Sequence, residues 1–333
     1  MLPIVSIIIP VKNEDKYIIE CLNSIFNLDY PGNNYEVLVV ADGDAKKEVF
    51  TVLESYKRKV RPLKSKKTGS AANRNLGVKS ASKKSKYFAF TDADCIVDKN
   101  WLKNLVERIE KAPKEIGCVG GVNLVPKSDS DFAKIIGAME QTLFAGGGSA
   151  QSSIQKKEKF VVSIPNCNAI YRKELWSKNK QDESLIVGQD GEFNYRLWRK
   201  GVKFVIVPNA IVWHHRTKTP RGFIRRMYKY GEATARIFKK HKELKFLSIR
   251  WYGLLPVFAL ILFIAFGVLS FYSRKSLCIL SYLFGLYLLL DLLTSASVLY
   301  RTKKAYSLIS FFLIPLQHLF YAIGFFKGIL TQV

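Results

Sequence analysis

Two carboxylates one residue apart, directly after an apolar run, carry the clearest chemical signal in this chain. Residues 87–90 have the character of a buried strand and are followed at once by Thr91-Asp92-Ala93-Asp94. Carboxylate oxygens are hard ligands that suit Mg²⁺ or Mn²⁺, ions that commonly reach a protein together with phosphates. Open α/β sheets bind their ligands at the carboxyl ends of strands. The pattern therefore predicts a metal and diphosphate site, and a solvated turn that caps the next helix is the alternative.

Two more loops with acidic side chains follow strand-like runs. Lys12 and Glu14 come after the β-branched run at 5–9, and Asp42 comes after the run at 36–40. Their carboxylates could accept hydrogen bonds from a base or a ribose, although turn formation and helix capping are ordinary alternatives. Neither G-x-G-x-x-G after the first run nor G-x-x-x-x-G-K-[ST] anywhere is present, which argues against a dinucleotide oxidoreductase and a P-loop enzyme.

Alternating strand-like and helix-like runs must position these loops. Apolar residues recur at helical spacing over 17–26, and further helices are predicted over 71–78 and 190–199. Strand, helix, strand, helix is the pattern of an α/β domain with helices on both faces of its sheet. The polar, glycine-rich segment 146–159 is expected to form a mobile loop over the site.

The last third of the chain is typical of membrane helices. Residues 251–273 and 305–326 carry no charge, and 276–300 carry only Asp291. Each run reaches the roughly 20 residues that a bilayer-spanning helix needs. Three helices are predicted, with core helices of a soluble protein as the alternative. Asp291 is costly in hydrocarbon and is a candidate functional residue, whereas pairing with a neighbouring helix or a wet position near the interface is the plainer interpretation.

Charge predicts the partner class and the orientation. Lys and Arg number 52 against 27 Asp and Glu, a net charge of +25, which suggests nucleic acid, an anionic membrane or phosphorylated substrates. The basic stretch 221–249 is expected to lie on the anionic membrane surface and to keep the N-terminal domain cytoplasmic at the cell membrane. No signal peptide is expected before the first strand, and the five cysteines, without a C-x-x-C pair, are expected to be reduced.

Taken together, the loops resemble those of the family 2 glycosyltransferases, which have the GT-A fold. The resemblance spans roughly residues 4–231 and comprises six motifs in order. The motifs are Val5-Ser6-Ile7-Ile8-Ile9-Pro10-Val11-Lys12-Asn13-Glu14, Val39-Val40-Ala41-Asp42-Gly43, Ala71-Ala72-Asn73-Arg74-Asn75-Leu76-Gly77, Thr91-Asp92-Ala93-Asp94, Asn166-Cys167-Asn168-Ala169-Ile170-Tyr171-Arg172 and Gly188-Gln189-Asp190-Gly191-Glu192. The implied fold is a mixed, mainly parallel sheet flanked by helices, followed by the C-terminal membrane helices.

The resemblance also implies a role for each matched residue. Those that would bind the nucleotide sugar are Pro10, Lys12, Glu14, Asp42, Arg74, Asp92, Ala93 and Asp94. Asp94 would ligate Mg²⁺ or Mn²⁺, with Asp92 and His214 as further candidate ligands. Asp190 would be the general base that takes the proton of the acceptor hydroxyl. His214 and His215 could equally be a surface pair beside Arg216.

Two departures from the family pattern qualify these roles. Gln189 stands where the family commonly has Glu before the base, and Ala41 replaces the first acid of the usual Asp-Asp-Gly loop, which leaves the choice of nucleotide open. The Gln-x-x-Arg-Trp motif of processive polymer synthases is absent, which favours transfer of one sugar per encounter.

The predicted organisation is a cytoplasmic domain at 1–220, an interfacial helix at 221–249 and about three membrane helices at 250–333. The predicted activity is metal-dependent, inverting transfer of a sugar from a UDP- or GDP-linked donor to a lipid-linked acceptor, without nucleic acid and with the oligomeric state open. The alternatives are a basic membrane protein without catalysis, a processive polysaccharide synthase and a metal-dependent nucleotidyltransferase. A simple polyanion binder has no reason to place acids at strand and helix ends, because each acid weakens phosphate binding.

Overall fold

The chain divides into two compact units. The structure, a computed structural model, describes residues 2–13, 16–147, 149–241 and 251–331. The first unit comprises Met1–Pro126 and Ala150–His215, and the second comprises Lys127–Ser149 and Arg216–Val333. No pattern in the sequence indicates that Lys127–Ser149 belongs with the C-terminal helices.

Strands of the described residues form one nine-stranded sheet in the first unit. The strands are β1 (Val5–Val11), β2 (Tyr35–Ala41), β3 (Arg61–Lys64), β4 (Tyr87–Phe90), β5 (Cys95–Val97), β6 (Ile116–Leu124), β7 (Lys159–Val161), β8 (Ala169–Arg172) and β9 (Lys203–His214). Their order is β3-β2-β1-β4-β8-β6-β9-β5, and β7 also pairs with β9. Strands β3, β2, β1 and β4 are parallel, β8 is antiparallel to both β4 and β6, and β9 is parallel to β6. The expected mixed sheet is therefore confirmed.

Helices and short 3₁₀ turns complete the described ranges. The α-helices are α1 (Tyr17–Phe26), α2 (Lys47–Ser55), α3 (Ser70–Ser80), α4 (Trp101–Glu110), α5 (Asp131–Glu140), α6 (Leu143–Gly146), α7 (Lys173–Ser177), α8 (Gln189–Arg199), α9 (Pro220–Lys240), α10 (Leu255–Leu269), α11 (Arg274–Thr302) and α12 (Ser310–Leu330). The 3₁₀ turns are Gly32–Asn34, Asn166–Asn168, Trp251–Leu254 and Ala305–Ile309. The helices predicted over 17–26, 71–78 and 190–199 correspond to α1, α3 and α8.

Side chains of the first strand show why the sheet is covered on both faces. Ile7 and Ile9 of β1 belong to a core cluster that includes residues of α1 and α4, whereas Ile8 belongs to a second cluster on the opposite face. Successive side chains of a strand point to opposite faces, so an uninterrupted apolar run requires cover on each side. Helix α3 approaches the Ile8 face closely, since a Cβ at Gly77 would lie 2.5 Å from a methyl group of Ile8.

Two helices of the second unit are long and apolar enough to cross a membrane, by length and composition, in the part of the chain that is described. They are Arg274–Thr302 and Ala305–Leu330, with mean hydropathies of 2.0 and 1.7. Only 11% and 28% of their most apolar stretches are buried, which argues against core helices of a soluble protein. Helix α10 has 15 residues and spans about 22 Å, less than the roughly 30 Å of a bilayer core. The structure therefore gives two candidate spans where the sequence predicts three.

The short helix α6, in the segment Lys127–Ser149, is hydrogen-bonded to side chains of α12. Gln317 Nε2 donates a hydrogen bond to the carbonyl of Ala145 at 2.6 Å, and His318 Nε2 lies 3.2 Å from the carbonyl of Phe144. Both carbonyls belong to α6. The last four carbonyls of an α-helix have no hydrogen-bond partners within the helix, so those of α6 need partners elsewhere. Gly146 thus ends a helix, while residues 149–158 form the expected loop without helix or strand. The bonds explain why Lys127–Ser149 belongs to the second unit.

Asp291 of α11 is completely buried, and neither of its carboxylate oxygens has a hydrogen-bond partner within the described ranges. Within these ranges, therefore, no hydrogen bond pairs the Asp291 carboxylate with a neighbouring helix. A functional role for Asp291 stays a prediction.

Helices α9 and α12 cross with direct backbone contact. A Cβ at Gly231 would lie 1.9 Å from the carbonyl oxygen of Tyr321, and one at Gly324 would lie 2.0 Å from the carbonyl oxygen of Tyr228. Only glycine permits this approach, because backbone atoms cannot move aside as a flexible side chain can. The basic stretch expected on the membrane surface therefore also packs against a candidate membrane helix. Residues 242–250, the remainder of that stretch up to α10, lie outside the described ranges.

Replacing Gly231 by alanine is expected to destabilise the second unit by about 1–3 kcal/mol, the usual cost of overpacking. The measurement is thermal unfolding of the full chain in detergent. Gly285→Ala in α11 is the matched control, because nothing lies within 4 Å of a Cβ there. Equal stability of the two variants would contradict the close crossing.

Candidate active site

The carboxyl ends of three neighbouring strands bring the predicted loops together. Val11 at the end of β1 pairs with Ala41 at the end of β2, and Ile8 pairs with Phe90 at the end of β4. The loops that start at residues 12, 42 and 91 therefore leave the same edge of the sheet. Pro10 lies inside β1, and Glu14 lies outside the described residues.

Asp42 is buried and ties the second loop to helix α3. Its Oδ2 accepts hydrogen bonds from the backbone N–H of Gly69 at 2.7 Å and from Asn73 Nδ2 at 3.1 Å. Lys12 Nζ lies 3.9 Å from Asp42 Oδ1 and pairs with Asp44 at 2.7 Å. Side-chain interactions with Asp42 and with the Lys12 ammonium lower the pKa of the exposed Asp44 carboxyl. Asp42 thus fixes the N-terminus of the helix that carries Arg74, in addition to any contact with a nucleotide.

Arg74 is a buried cation whose side chain is only partly engaged. Its Nη2 donates to Asp92 Oδ1 at 2.5 Å, while Nε and Nη1 have no partner among the described residues. Burial disfavours the charged guanidinium, but the carboxylates of Asp92 and Asp190 outweigh it and raise the Arg74 pKa. Unpartnered buried donors are costly unless an acceptor satisfies them. Phosphate oxygens match the planar donor geometry of arginine.

Asp94 and His214 lie together because β5 and β9 pair antiparallel. Cys95 pairs with His214 in that ladder, and the backbone N–H of His215 donates to the carbonyl of Asp94 at 3.0 Å. His214 Nε2 lies 3.3 Å from Asp94 Oδ1. Ligand atoms of Asp94, Cys95 and His214 all lie within 4.8 Å of one another. Asp92 does not belong to this group, since it pairs with Arg74.

The two neighbouring histidines have different surroundings. His215 stacks on Tyr17 at 4.3 Å between ring centroids and lies 3.3 Å from Glu20, both in α1. His214 instead faces the carboxylate of Asp94. Of the pair, His214 is therefore the candidate ligand.

The carboxylate suits Mn²⁺ or Mg²⁺, whereas imidazole nitrogen is a ligand of transition metals, so this donor set fits Mn²⁺ better than Mg²⁺. Ligand atoms of a divalent ion with bonds of about 2.0–2.2 Å are separated by about 3 Å in octahedral and 3.3–3.5 Å in tetrahedral geometry. The separation of 3.3 Å between Asp94 and His214 agrees with this spacing. The remaining positions of an ion held there are available to donor oxygens and water.

Cys167 interacts with Cys95 and His214. The sequence does not identify it as a site residue. Hydrogen bonds from Cys95 and His214 lower the pKa of its buried thiol to about 6. The Thr91 hydroxyl donates to the Cys167 carbonyl at 3.1 Å, which joins the turn Asn166–Asn168 to the end of β4. The family motif around Cys167 marks the turn, but nothing local in the sequence marks the contact with Cys95.

Asp190 occupies the first turn of α8, next to a buried turn. Its Oδ1 accepts from the backbone N–H of Gly191 at 2.9 Å, and its Oδ2 accepts from that of Asn166 at 3.3 Å. The N-terminus of a helix favours a negative charge, and the two hydrogen bonds orient the carboxylate. Asn166 Nδ2 is buried and without a partner in the described ranges. Gln189, which departs from the family pattern, bonds Ser70 at 2.5 Å and so links α8 to α3.

Comparison with known proteins decides the family. The sequence profile of Glycosyl transferase family 2 matches residues 6–177, just over half of the chain. The chain belongs to glycosyltransferase family 2. It is therefore a glycosyltransferase that uses a nucleotide sugar, as the six motifs predict.

Two curated glycosyltransferases are similar to this family 2 member over most of its length. One is the dolichyl N-acetyl-alpha-D-glucosaminyl phosphate 3-beta-D-2,3-diacetamido-2,3-dideoxy-beta-D-glucuronosyltransferase of Methanococcus voltae, 28% identical over 98% of this chain and 97% of that protein. The other is glycosyltransferase AglE of Haloferax volcanii, 29% identical over 80% of this chain and 82% of that protein.

Solved structures confirm the GT-A fold of this family 2 enzyme. The mannosyltransferase PcManGT of Pyrobaculum calidifontis, determined with GDP-Man and Mn²⁺, aligns with a TM-score of 0.64 and 18% identity over 95% of this chain and 88% of that one. TarS of S. aureus aligns with a TM-score of 0.50 and 17% identity over 92% of this chain and 54% of that one.

Proposed function

We propose that this enzyme is a metal-dependent, inverting glycosyltransferase that moves one sugar to a lipid-linked acceptor at a membrane. The observation that carries the proposal is the position of Arg74. Its buried guanidinium pairs with Asp92 and lies in the field of the Asp190 charge, and two of its donors have no partner among the residues that the structure describes. Such a cation suits the diphosphate of a donor, with the Asp94–His214 pair as the metal position and Asp190 as the base.

The proposed reaction is a single displacement. A hydroxyl of the acceptor attacks the anomeric carbon, Asp190 takes its proton, and the bond to the nucleoside diphosphate breaks. The backbone N–H groups of Asn166 and Gly191 orient the carboxylate, and each of its oxygens keeps a lone pair that can take the proton of the acceptor. Arg74 stabilises the negative charge of the leaving diphosphate, and a bound divalent cation supplies further charge neutralisation there. Attack from the face opposite the leaving group inverts the configuration.

Residues of the nucleotide pocket are proposed from the loops at the sheet edge. Lys12 and Asp42 lie where they can meet a base or ribose, and Asp92 is proposed to contact the ribose or the donor sugar while it pairs with Arg74. Ala41, which stands in place of the first acid of the family's usual loop, leaves both UDP and GDP open as the nucleotide of the donor. The neighbour PcManGT was determined with GDP-Man and Mn²⁺, which supports a GDP-linked donor and a metal as candidates.

The lipid-linked acceptor is supported by two independent observations. The Methanococcus voltae relative, aligned over nearly the whole of both chains, is named for a dolichyl phosphate-linked sugar as its acceptor. Two helices of this chain are long and apolar enough to span a bilayer. We propose that both helices cross the cell membrane and that the catalytic unit faces the cytoplasm, where its basic residues meet anionic lipid.

The test uses the full chain purified in detergent with Mn²⁺, a panel of UDP- and GDP-linked sugars, and polyprenyl phosphates with and without a first sugar. We expect release of nucleoside diphosphate to depend on one donor and on a lipid-linked acceptor, and the product mass to rise by one sugar. A ladder of masses would instead indicate a processive synthase. Absence of product with every donor and acceptor pair would contradict the proposed transfer to a lipid-linked acceptor.

A further inference from the structure

We propose that Asn75 is a positioning residue that fixes the loop leading to Asp190 against helix α3. We call residues 181–188 the base loop, because Asp190 follows it in the first turn of α8. Arg74 directly precedes Asn75 in α3. Asn75 thereby holds the cation of the diphosphate site and the carboxylate of the base in one fixed relation. This role rests on the proposed function, which makes Asp190 the base.

The base loop depends on contacts with its surroundings for its position. Its residues, all of them described, form neither helix nor strand, and Gly188 ends the loop in the left-handed conformation that favours glycine, with a φ of 79°. Leu185 is buried, whereas the next side chain, Ile186, is 69% exposed. A loop of this kind is positioned by the scaffold that it touches, and here the scaffold is α3.

Asn75 makes three hydrogen bonds to the base loop. Its Oδ1 accepts from the backbone N–H of Gln181 at 3.0 Å, and its Nδ2 donates to the carbonyl of Gln181 at 2.9 Å. The same Nδ2 donates to Glu183 Oε1 at 3.0 Å. The side-chain amide thus pairs with the loop backbone as a neighbouring strand would. The bond to Glu183 strengthens the pairing, because hydrogen bonds to charged acceptors are stronger than those between neutral groups.

Burial makes the Asn75 contact more important than the ion pair beside it. Gln181 is 2% exposed, so its backbone groups are costly to leave unpaired. Lys67 pairs with Glu183 at 2.5 Å, but 70% of the Lys67 side chain is exposed. Exposed ion pairs contribute little, because water and salt screen them. Asn75 is therefore the stronger attachment of the first part of the base loop.

A second attachment lies just beyond the other end of the base loop. Gln189 Nε2 donates to the hydroxyl of Ser70, the first residue of α3, at 2.5 Å. Helix α3 thus holds the loop near both ends, and Arg74 lies between Ser70 and Asn75 along the helix. Asp190, which follows Gln189, acts on Arg74 through its charge. The two groups proposed to act on the donor and the acceptor are therefore tied to the same helix.

Loss of the Asn75 contact is expected to displace the first turn of α8 without displacing the whole helix. Phe193 and Leu197 anchor the body of α8, because both are buried in the core. A misplacement of about 1 Å can cost about 10²-fold in rate, so kcat of Asn75→Ala is expected to fall by about 10–10²-fold. The KM for the donor should stay close to that of the parent, because Arg74 keeps its pairing with Asp92.

The experiment compares Asn75→Ala with Asn104→Ala in the full chain in detergent. Asn104 Nδ2 of α4 donates to the carbonyl of Asn209 at 2.7 Å, a similar contact outside the proposed site, which makes it the matched control. We expect kcat to fall only in Asn75→Ala, and hydrogen exchange of base-loop peptides to become faster only in that variant. Parental kcat in Asn75→Ala, or unchanged exchange in its base loop, would overturn the proposal.

A rescue distinguishes positioning from a simple loss of stability. Asn75→Asp keeps an acceptor for the N–H of Gln181 but places a second carboxylate against Glu183, so its kcat should also fall. Adding Glu183→Gln removes that repulsion and supplies an amide donor, which should raise kcat by about two- to tenfold, the effect of one hydrogen bond. Thermal unfolding shows whether each variant folds, and the Asn75→Asp pair provides the readout should Asn75→Ala not do so. Absence of any rescue would contradict the positioning role.

Failure of this proposal is distinguishable from failure of the proposed function. Normal turnover of Asp190→Asn would refute the base itself, whatever Asn75→Ala does. An inactive Asp190→Asn together with a fully active Asn75→Ala would keep the base and refute the role of Asn75. Hydrogen exchange of the base loop needs neither donor nor acceptor, so it tests the attachment to α3 without any sugar transfer.

Discussion

Replacing Asp190 by asparagine is expected to lower the rate of sugar transfer by about 10²–10⁴-fold, the usual contribution of a general base. The side chain keeps its size, and one amide oxygen can still accept from Gly191 or Asn166. It can no longer take a proton from the acceptor. Donor binding should be little changed, because in the structure the carboxylate influences Arg74 only through its charge. The measurement is kcat at saturating donor, together with calorimetric titration of the nucleotide.

Asp29→Asn is the matched control for this change. Asp29 is an exposed carboxylate that pairs with Lys103 at 2.8 Å, and neither residue is among the proposed site residues. Its loss should leave both kcat and donor binding unchanged. Turnover of the Asp190 variant at the level of the control would refute the assignment of the base.

Replacing Asp94 by asparagine is expected to remove a charged ligand and to weaken Mn²⁺ binding at least about 10²-fold, beyond the range usual for outer-shell changes. Since the cation is proposed to meet the diphosphate of the donor, nucleotide binding in the presence of Mn²⁺ should fall with it. Electron paramagnetic resonance of free Mn²⁺ measures the first effect, and calorimetric titration of the nucleotide measures the second.

The two carboxylate variants should therefore fail in different ways. The Asp190 variant is expected to bind donor and not turn over, whereas the Asp94 variant is expected to lose metal-dependent donor binding. The Asp29→Asn control again sets the baseline. Normal Mn²⁺ affinity in the Asp94 variant would contradict the metal position.

Local pattern was sufficient to predict the strands that carry the nucleotide loops. The run at 5–9 alternates between two core clusters, and the pairing of Val11 with Ala41 follows from two parallel strands of similar length. The acids that follow these strands could therefore be expected at one edge. The roles assigned to them by the family resemblance stay predictions, because no bound nucleotide tests them.

Contacts between distant parts of the sequence could not be predicted in the same way. Cys95 meets His214 only because the three-residue strand β5 pairs with the far end of β9, and three residues carry too little pattern to indicate a strand. The close contact of α9 with α12 through Gly231 and Gly324 could not be predicted either, because the charge of the basic stretch 221–249 suggests only a membrane surface. Helix α10 covers Leu255–Leu269, a part of the apolar run at 251–273, because an apolar run does not show where its helix begins.

The antiparallel pairing of β5 with β9 makes the spacing of the proposed cation ligands independent of the loop that is proposed to recognise the base. Spacing of the cation ligands depends on backbone pairing, which any side chains compatible with a strand preserve. The residues proposed to meet the base lie elsewhere, in the loop after β2, next to Ala41. On these proposed assignments, a change in that loop would alter the choice of donor nucleotide and leave the spacing of Asp94 and His214 as it is.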